Sequence, residues 1–344
     1  MKRLHFCLSL SILLLFTHVV DAQVATAAKL DGTVVERKKG FPFETYEKWL
    51  NFLKSHKRSF DETRFKNIYS KQDFEKYKNE LDYQSIKYLS DELKVVGYII
   101  KPKQADGKKL PVIIFNRGGT REFGRLVFGS LFRFFELVSA GYILVASQYR
   151  GNAGGEGREE FGGADVNDVL NLISVIESIP EADASRIGMY GWSRGGMMTY
   201  IALTKTDRIA AAIIGAGLAD SFDTIKRRPK MEKQVYSKLI PTYRENKEAA
   251  LEARSAVRWP EKIHKNTPIL LLHGSSDWRV HPNQALRMST LLYENKHPFR
   301  FVFFEGGDHG LNEHRREVKR LVKDWLDRYV RDRQPWPSLE PHGR

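Results

Sequence analysis

Two patterns of apolar residues divide the chain near residue 81. Between residues 41 and 80, aromatic residues recur at spacings of three and four among Lys and Glu, which predicts two or three short amphipathic helices. We expect these aromatic residues to dock the segment onto the rest of the protein, and a lid or substrate wall is the alternative. They are Phe43, Tyr46, Trp49, Phe52, Phe60, Phe65, Tyr69, Phe74 and Tyr77.

After residue 81, short apolar runs alternate with longer segments of helical period. Runs that are apolar at nearly every position are expected to be buried on both faces, which is typical of a mostly parallel sheet. The runs are residues 112–115, 142–146, 187–190, 210–214, 269–272 and 301–304, and residues 83–89 and 93–100 predict an antiparallel hairpin before them. The helical segments carry Val166, Val169, Leu170, Ile173 and Ile176, and later Val318, Leu321, Val322, Trp325, Leu326, Tyr329 and Val330. This alternation predicts an α/β fold with a mostly parallel, doubly wound sheet.

Residues 1–22 have the pattern of a secretory signal peptide. Lys2 and Arg3 precede the apolar residues 6–20, and Ala22 ends a small-residue cleavage site. The apolar run is shorter than the roughly 20 residues that cross a bilayer as a helix, so an uncleaved anchor is the weaker alternative. We therefore expect an exported protein, periplasmic or secreted, with no integral membrane segment after cleavage.

The remaining domain boundaries follow from the same patterns. We expect residues 23–80 to form a polar leader, up to Gly40, and the helical extension. The α/β domain is expected to occupy residues 81–333 and a C-terminal tail residues 334–344.

The chain is basic, with 56 Lys and Arg against 42 Asp and Glu among 344 residues, a net charge of +14. The densest basic runs are residues 226–230 and 314–320, and neither accompanies a nucleic-acid-binding motif. We expect a solvated basic face and no nucleic-acid partner, with an anionic envelope or substrate surface as the alternative. The single cysteine, Cys7, excludes an intramolecular disulfide and a cysteine-based metal site, and no motif calls for a metal or other cofactor.

The strongest chemical signal is a serine between two glycines. Residues 191–195 read G-W-S-R-G, directly after one predicted strand and before a run of helix-forming residues. In a nucleophile elbow the serine occupies a strained turn between strand and helix, and the glycines let neighbouring backbone approach. We therefore predict that Ser193 is a nucleophile and that the Arg194 N–H, at the helix N-terminus, faces a developing oxyanion.

A serine nucleophile needs an acid and a histidine, which this architecture supplies in that order after later strands. Asp277 and His309 occupy those positions, which predicts His309 as general base and then acid, oriented by Asp277. His273 is expected to support the loop of Asp277, and Asp308 is the weaker partner because adjacent side chains usually point apart. Residues 116–120 (NRGGT) follow another strand and are expected to supply the second oxyanion donor.

With these motifs the chain resembles the catalytic domain of the prolyl oligopeptidase family of serine peptidases, from about residue 83 to residue 330. The motifs are residues 115–119 (FNRGG), 149–159 (YRGNAGGEGRE), 191–196 (GWSRGG), 273–280 (HGSSDWRV) and 307–310 (GDHG). The resemblance implies an α/β-hydrolase fold and hydrolysis of short peptides through an acyl-enzyme, with the triad on Ser193, Asp277 and His309.

The chain departs from the family pattern in two ways. Family peptidases usually carry a large β-propeller, and the 80 residues ahead of the domain are too few to build one. Many members also place a Tyr hydroxyl in the oxyanion hole where this chain has Arg117, so the backbone N–H of Arg117 or Gly118 is the expected donor. An esterase on the same triad, and a binding protein that has kept the fold without catalysis, therefore stay open as alternatives.

The segment of residues 219–260 is longer than a crossover between strands requires, and we expect it to cover the site. Its aromatic residues, Phe222, Tyr236 and Tyr243, are interpreted mainly as core, with an acyl pocket as the alternative.

Overall fold

Nine strands form one sheet in residues 31–343, the part of the chain that the computed structural model describes. The predicted signal peptide, residues 1–22, lies outside the described residues. The strands are β1 (Val34–Lys39), β2 (Leu81–Ser90), β3 (Leu93–Pro102), β4 (Leu110–Asn116), β5 (Ile143–Ser147), β6 (Ala182–Trp192), β7 (Ile209–Gly215), β8 (Ile269–Gly274) and β9 (Phe299–Phe304). Their order across the sheet is β1-β2-β3-β5-β4-β6-β7-β8-β9. The pairs from β1 to β5 are antiparallel and those from β5 to β9 are parallel, which confirms the mostly parallel α/β sheet.

Helices cover both faces of this sheet. On β4, Val112 and Ile114 belong to one buried cluster and Ile113 to another on the opposite face, as alternating side chains require. The helices are α1 (Tyr46–His56), α2 (Glu62–Ile68), α3 (Lys71–Glu80), α4 (Phe128–Phe132), α5 (Phe135–Ser139), α6 (Asn167–Leu170), α7 (Leu172–Glu177), α8 (Arg194–Ala202), α9 (Ser221–Arg227), α10 (Pro229–Met231), α11 (Ser237–Leu239), α12 (Lys247–Glu252), α13 (Asn283–Glu294) and α14 (Arg315–Leu326). Short 3-10 turns lie at Ala164–Val166, Ala256–Arg258 and Pro260–Lys262, and π-helical turns at Glu232–Tyr236 and Asp327–Arg331. In this part of the chain no helix combines the length and the apolarity that a bilayer span requires.

The aromatic segment forms helices α1, α2 and α3, which pack against the α/β domain. The side chains of Thr45, Asp61 and Ser70 cap their N-termini by accepting backbone N–H groups. The Trp49 ring is buried, and its centroid lies 4.8 Å from that of Phe128 on α4. These aromatic contacts agree with docking rather than with a lid.

The polar leader expected up to Gly40 is not loose throughout, because residues 34–39 form a strand. They form β1, which pairs antiparallel with β2 through partners such as Arg37 and Ile86. Every β1 side chain except that of Val34 is exposed, because an edge strand can be held by backbone hydrogen bonds alone.

The prediction that β9 is buried on both faces was wrong. β9 is the other edge of the sheet, and of its residues only Phe304 is buried while Phe303 is exposed. An edge strand has a neighbour on one side only, so less of its surface is covered.

Candidate active site

Ser193 occupies the turn between the last residue of β6 and the first residue of α8. Its backbone has φ 59° and ψ −120°, a strained conformation for a residue other than glycine. A Cβ on Gly191 would lie 2.1 Å from the carbonyl oxygen of Gly195, and one on Gly195 would lie 1.9 Å from that of Asn116. Both glycines are therefore required for α8 to pack closely on the ends of β6 and β4.

Three backbone hydrogen bonds hold this turn in place. The N–H of Ser193 donates to the Gly215 carbonyl at 2.9 Å, and the Ser193 carbonyl accepts from Gly196 at 2.9 Å and from Leu218 at 3.2 Å. The half-buried Ser193 hydroxyl makes no hydrogen bond with another residue in the range 31–343. In unliganded hydrolases the bond from nucleophile to base often forms only when substrate binds, so the free hydroxyl is compatible with a nucleophile.

Asp277 and His309 meet at the same edge of the sheet, after β8 and β9. His309 Nδ1 lies 2.8 Å from Asp277 Oδ2, while Asp277 Oδ1 accepts the backbone N–H groups of Arg279 at 2.8 Å and Val280 at 3.0 Å. Burial raises the pKa of Asp277, but hydrogen bonds from His273 and His309 outweigh it and hold the pKa below its ordinary value of 3.8. Asp277 is therefore a carboxylate at neutral pH.

The two competing residues have other partners. His273 Nε2 lies 2.9 Å from the Val280 carbonyl oxygen and 3.3 Å from Asp277 Oδ2, so it supports the loop as predicted. Asp308 accepts the Gly310 N–H at 2.8 Å and does not pair with the imidazole of its neighbour His309.

The histidine loop is tied to the nucleophile turn through Trp192. The indole N–H of Trp192 donates to the His309 carbonyl at 3.0 Å. The loops after β8 and β9 also touch, since a Cβ on Gly274 would lie 2.2 Å from the Gly307 carbonyl oxygen. The structure thus brings the acid, the histidine and the backbone beside Ser193 to one place.

Gly118 is the residue of the loop after β4 that approaches the nucleophile. A Cβ there would lie 3.0 Å from the Trp192 carbonyl oxygen and 3.1 Å from the Ser193 Cβ, and glycine avoids this crowding. Within residues 31–343, the N–H groups of Gly118 and Arg194 donate to no acceptor. Both can therefore donate to a substrate oxygen.

The Arg117 side chain is buried and is held by partners other than Ser193. Its guanidinium is buried, donates from Nη2 to the Gln148 carbonyl at 2.9 Å, and stacks 5.1 Å from the Tyr149 ring. The Tyr149 hydroxyl in turn donates to the Arg117 carbonyl at 3.0 Å. Sequence reasoning did not identify Tyr149 as the residue that fixes the loop.

A buried cluster of charged side chains surrounds Arg194, the residue after Ser193. It was not predicted from the sequence. The Arg194 guanidinium forms ion pairs with Glu159 and Asp165, and it donates to the Gly119 carbonyl at 3.0 Å. All three charged side chains are at most 4% exposed. The cluster joins the first residue of α8 to the loop after β4 and to the residues that follow β5.

Replacing Arg194 by Met is expected to lower the free energy of unfolding by about 3–5 kcal/mol, because two buried carboxylates lose their partner. Urea unfolding followed by circular dichroism measures the change. Arg320→Met is the control, since Arg320 is 62% exposed beside Glu317 and Asp324 and its loss should cost less than about 1 kcal/mol. Equal losses for the two variants would contradict the structural role of Arg194.

The aromatic residues of the segment 219–260 serve mainly as core. Tyr236 is fully buried, with its ring 5.1 Å from that of Phe161, and Tyr243 is also buried. Phe222 is half-buried beneath the guanidinium of Arg258 at 5.0 Å. Among the residues described, no three His, Cys, Asp or Glu side chains are grouped so that they could hold a metal ion.

Comparisons with known proteins concern mainly the α/β domain. The family model of the prolyl oligopeptidase family matches residues 130–333. The uncharacterised peptidase YtmA of Bacillus subtilis is 27% identical over 245 residues, which are 70% of this chain and 92% of YtmA. Dipeptidyl-peptidase 5 of Porphyromonas gingivalis is 25% identical over 252 residues, 69% of this chain but only 36% of that protein.

A solved structure shows the same fold. The acylaminoacyl peptidase of Pyrococcus horikoshii superposes with a TM-score of 0.65 at 25% identity, over 76% of this chain and 44% of that one. The neighbour is an α/β-hydrolase peptidase, in agreement with the sheet and the elbow described above. The chain belongs to the prolyl oligopeptidase family of serine peptidases.

Proposed function

We propose that the protein is an exported serine peptidase that hydrolyses short peptides through an acyl-enzyme on Ser193. The main support is the 2.8 Å hydrogen bond between His309 Nδ1 and Asp277 Oδ2, at the sheet edge where the strained turn holds the serine. A carboxylate can only accept, so Nδ1 carries the proton and Nε2 keeps its lone pair. His309 is thereby set to accept the hydroxyl proton.

The reaction follows from these positions. Ser193 Oγ attacks the peptide carbonyl carbon while His309 Nε2 takes the hydroxyl proton. The N–H groups of Gly118 and Arg194 bind the oxyanion that develops, an interaction worth about 2.7–4 kcal/mol per donor. His309 then protonates the leaving amine as the C–N bond breaks, and a water molecule, deprotonated by the same imidazole, hydrolyses the acyl ester.

Peptides are the proposed substrate class because relatives of this domain are named as peptidases. The relatives described above include a dipeptidyl-peptidase and an acylaminoacyl peptidase. The chain spans less than half of each, so their substrates support only the general class here.

A carboxylesterase is the second candidate, and one observation favours it. The Arg117 guanidinium is occupied by the Gln148 carbonyl, which leaves backbone N–H groups as the candidate oxyanion donors, and backbone donors serve in esterases of this fold. The same triad can hydrolyse either bond.

The test compares dipeptidyl and acylaminoacyl p-nitroanilides with short-chain p-nitrophenyl esters on the mature protein. We expect turnover of anilides as well as esters, and covalent labelling of Ser193 by a fluorophosphonate. Ester turnover without turnover of any anilide would favour the esterase, and no adduct on the folded protein would favour a non-catalytic role. N-terminal sequencing of the exported protein, expected to begin at Gln23, tests the export that residues 1–22 suggest.

A further inference from the structure

A cavity of about 330 Å³ lies beside the loop that carries Asp277. Arg227 and Arg228 line it from the end of α9, and Trp278, Arg279 and His281 line it from the loop after β8. Among the residues that the structure describes, its lining holds three guanidinium groups and no carboxylate. The cavity is therefore positively charged, and two of its residues, Trp278 and Arg279, directly follow Asp277 in the chain.

Two of the three cations form no ion pair in the described part of the chain. Arg227 pairs with Asp223 at 2.7 Å, whereas neither Arg228 nor Arg279 forms an ion pair within residues 31–343. Instead, Arg228 Nη1 donates to the Arg279 carbonyl at 2.8 Å, which holds the two residues together. Burial, followed by the charge of Arg279, lowers the pKa of Arg228. An anion bound between the two guanidiniums would relieve that repulsion.

The unpaired cations belong to a row of stacked side chains, here called the arginine row: Arg228, Trp278, Arg279 and Phe123. Successive guanidinium-to-ring distances along it are 5.2, 5.2 and 5.4 Å. Trp278 is 68% exposed and Phe123 65% exposed, so neither contributes to the core. A Cβ on Gly119 would lie 2.1 Å from the Phe123 carbonyl oxygen, so Phe123 lies against the loop after β4. The row thus reaches from the end of α9, across the loop that carries Asp277, to the loop after β4.

We propose that the arginine row binds a carboxylate of the substrate, so that the enzyme prefers peptides with a negative charge close to the scissile bond. Guanidinium groups bind carboxylates through paired, charge-assisted hydrogen bonds, and stacking on aromatic rings orients them. The inference rests on the proposed peptidase function. It also gives a role to part of the basic run 226–230, which the catalytic residues leave unexplained.

The carboxylate has two possible sources, and matched substrates separate them. An acidic side chain on the acyl side is tested by Glu/Gln and Asp/Asn pairs at the residue before the scissile bond of a dipeptidyl p-nitroanilide. A free C-terminus on the leaving side is tested by a fluorogenic tetrapeptide with a C-terminal carboxylate against the same peptide with an amide. In at least one arm we expect the charged member to have a kcat/KM about 10-fold to 100-fold higher, the range for a hydrogen bond to a charged group.

Variants then assign the preference to the arginine row. Arg228→Gln is expected to bring the charged-to-neutral ratio of kcat/KM close to one, and Arg228→Lys to restore part of it. Lys230→Gln is the matched control, because Lys230 is an exposed cation two residues away that does not line the cavity. The control should keep the ratio of the unmodified enzyme.

Binding to Ser193→Ala separates this inference from the peptidase function itself. Isothermal titration calorimetry with the matched pairs of both arms should give, for at least one pair, a Kd about 10-fold lower for the charged member, whether or not the peptide bond is cleaved. Equal binding of the charged and neutral members in both arms would overturn the carboxylate subsite while leaving the peptidase proposal intact. An equal loss of preference in Lys230→Gln and Arg228→Gln would also overturn it, because a diffuse positive field would then explain the effect.

Discussion

Ser193→Ala is expected to lower kcat for a peptide anilide by about 10⁶-fold, because the whole covalent route is lost with the hydroxyl. The fold should persist, since the turn is held by backbone hydrogen bonds from Gly196 and Leu218 and to Gly215 rather than by the side chain. The same variant should lose fluorophosphonate labelling. Steady-state kinetics and intact-protein mass spectrometry make the two measurements.

Ser276→Ala is the control for this result. Ser276 is an exposed hydroxyl beside Asp277 and has no role in the proposed reaction. It should keep kcat within about threefold, as surface substitutions usually change little. Residual activity of Ser193→Ala above about a hundredth of the parent would mean that another group is the nucleophile.

Asp277→Asn is expected to lower kcat by about 10⁴-fold. The oxygen of the new amide should stay at the position that accepts the N–H groups of Arg279 and Val280, since a buried N–H without an acceptor is costly. The NH₂ group then faces His309 Nδ1, which must accept instead of donate. The imidazole proton moves to Nε2, and the general base is lost although its position is unchanged. Pre-steady-state and steady-state rates near pH 8 measure the effect.

Asp308→Asn is the matched control, because it makes the same chemical change directly beside His309. Asp308 accepts backbone N–H from Gly310 at 2.8 Å and does not reach the imidazole, so kcat should fall by less than about tenfold. If the two variants lost the same activity, Asp277 would not be the orienting acid. Because the pKa of Asp277 is held below 3.8, its carboxylate stays ionised as pH rises, so it should add no step to the rate profile above pH 5.

The parts of the site that carry a local signal could be predicted from the sequence. Gly191 and Gly195 each lie two residues from Ser193, so the motif could be recognised in adjacent positions, although the backbone that requires Gly195 is that of the distant Asn116. Asp277 and His309 each follow a buried strand, and in a parallel sheet such positions converge at one edge. Their mutual hydrogen bond is a consequence of that topology.

The remaining features depend on contacts between distant parts of the chain. Glu159 and Asp165 face Arg194 only after the segment that follows β5 has folded beneath α8, and charge alone does not select them among 42 acidic residues. β1 has no alternating apolar residues, because its position is set by backbone pairing with β2. Neither the charge cluster nor β1 produces a periodic pattern of apolar residues in the sequence.

The position of β1 changes what the three N-terminal helices are. Lys39 pairs with Gln84, and the N–H of Gly40 donates to the Tyr83 carbonyl at 2.8 Å, so the chain leaves the ladder and returns to it at the same point. The three helices therefore form the long connection of a β-hairpin rather than an appended domain. Each doubling of the length of such a connection costs only about 0.6 kcal/mol in closure entropy. Insertions in its exposed turns therefore cost little, and these turns lie on the opposite side of the sheet order from β8 and β9, the strands that position the acid and the histidine.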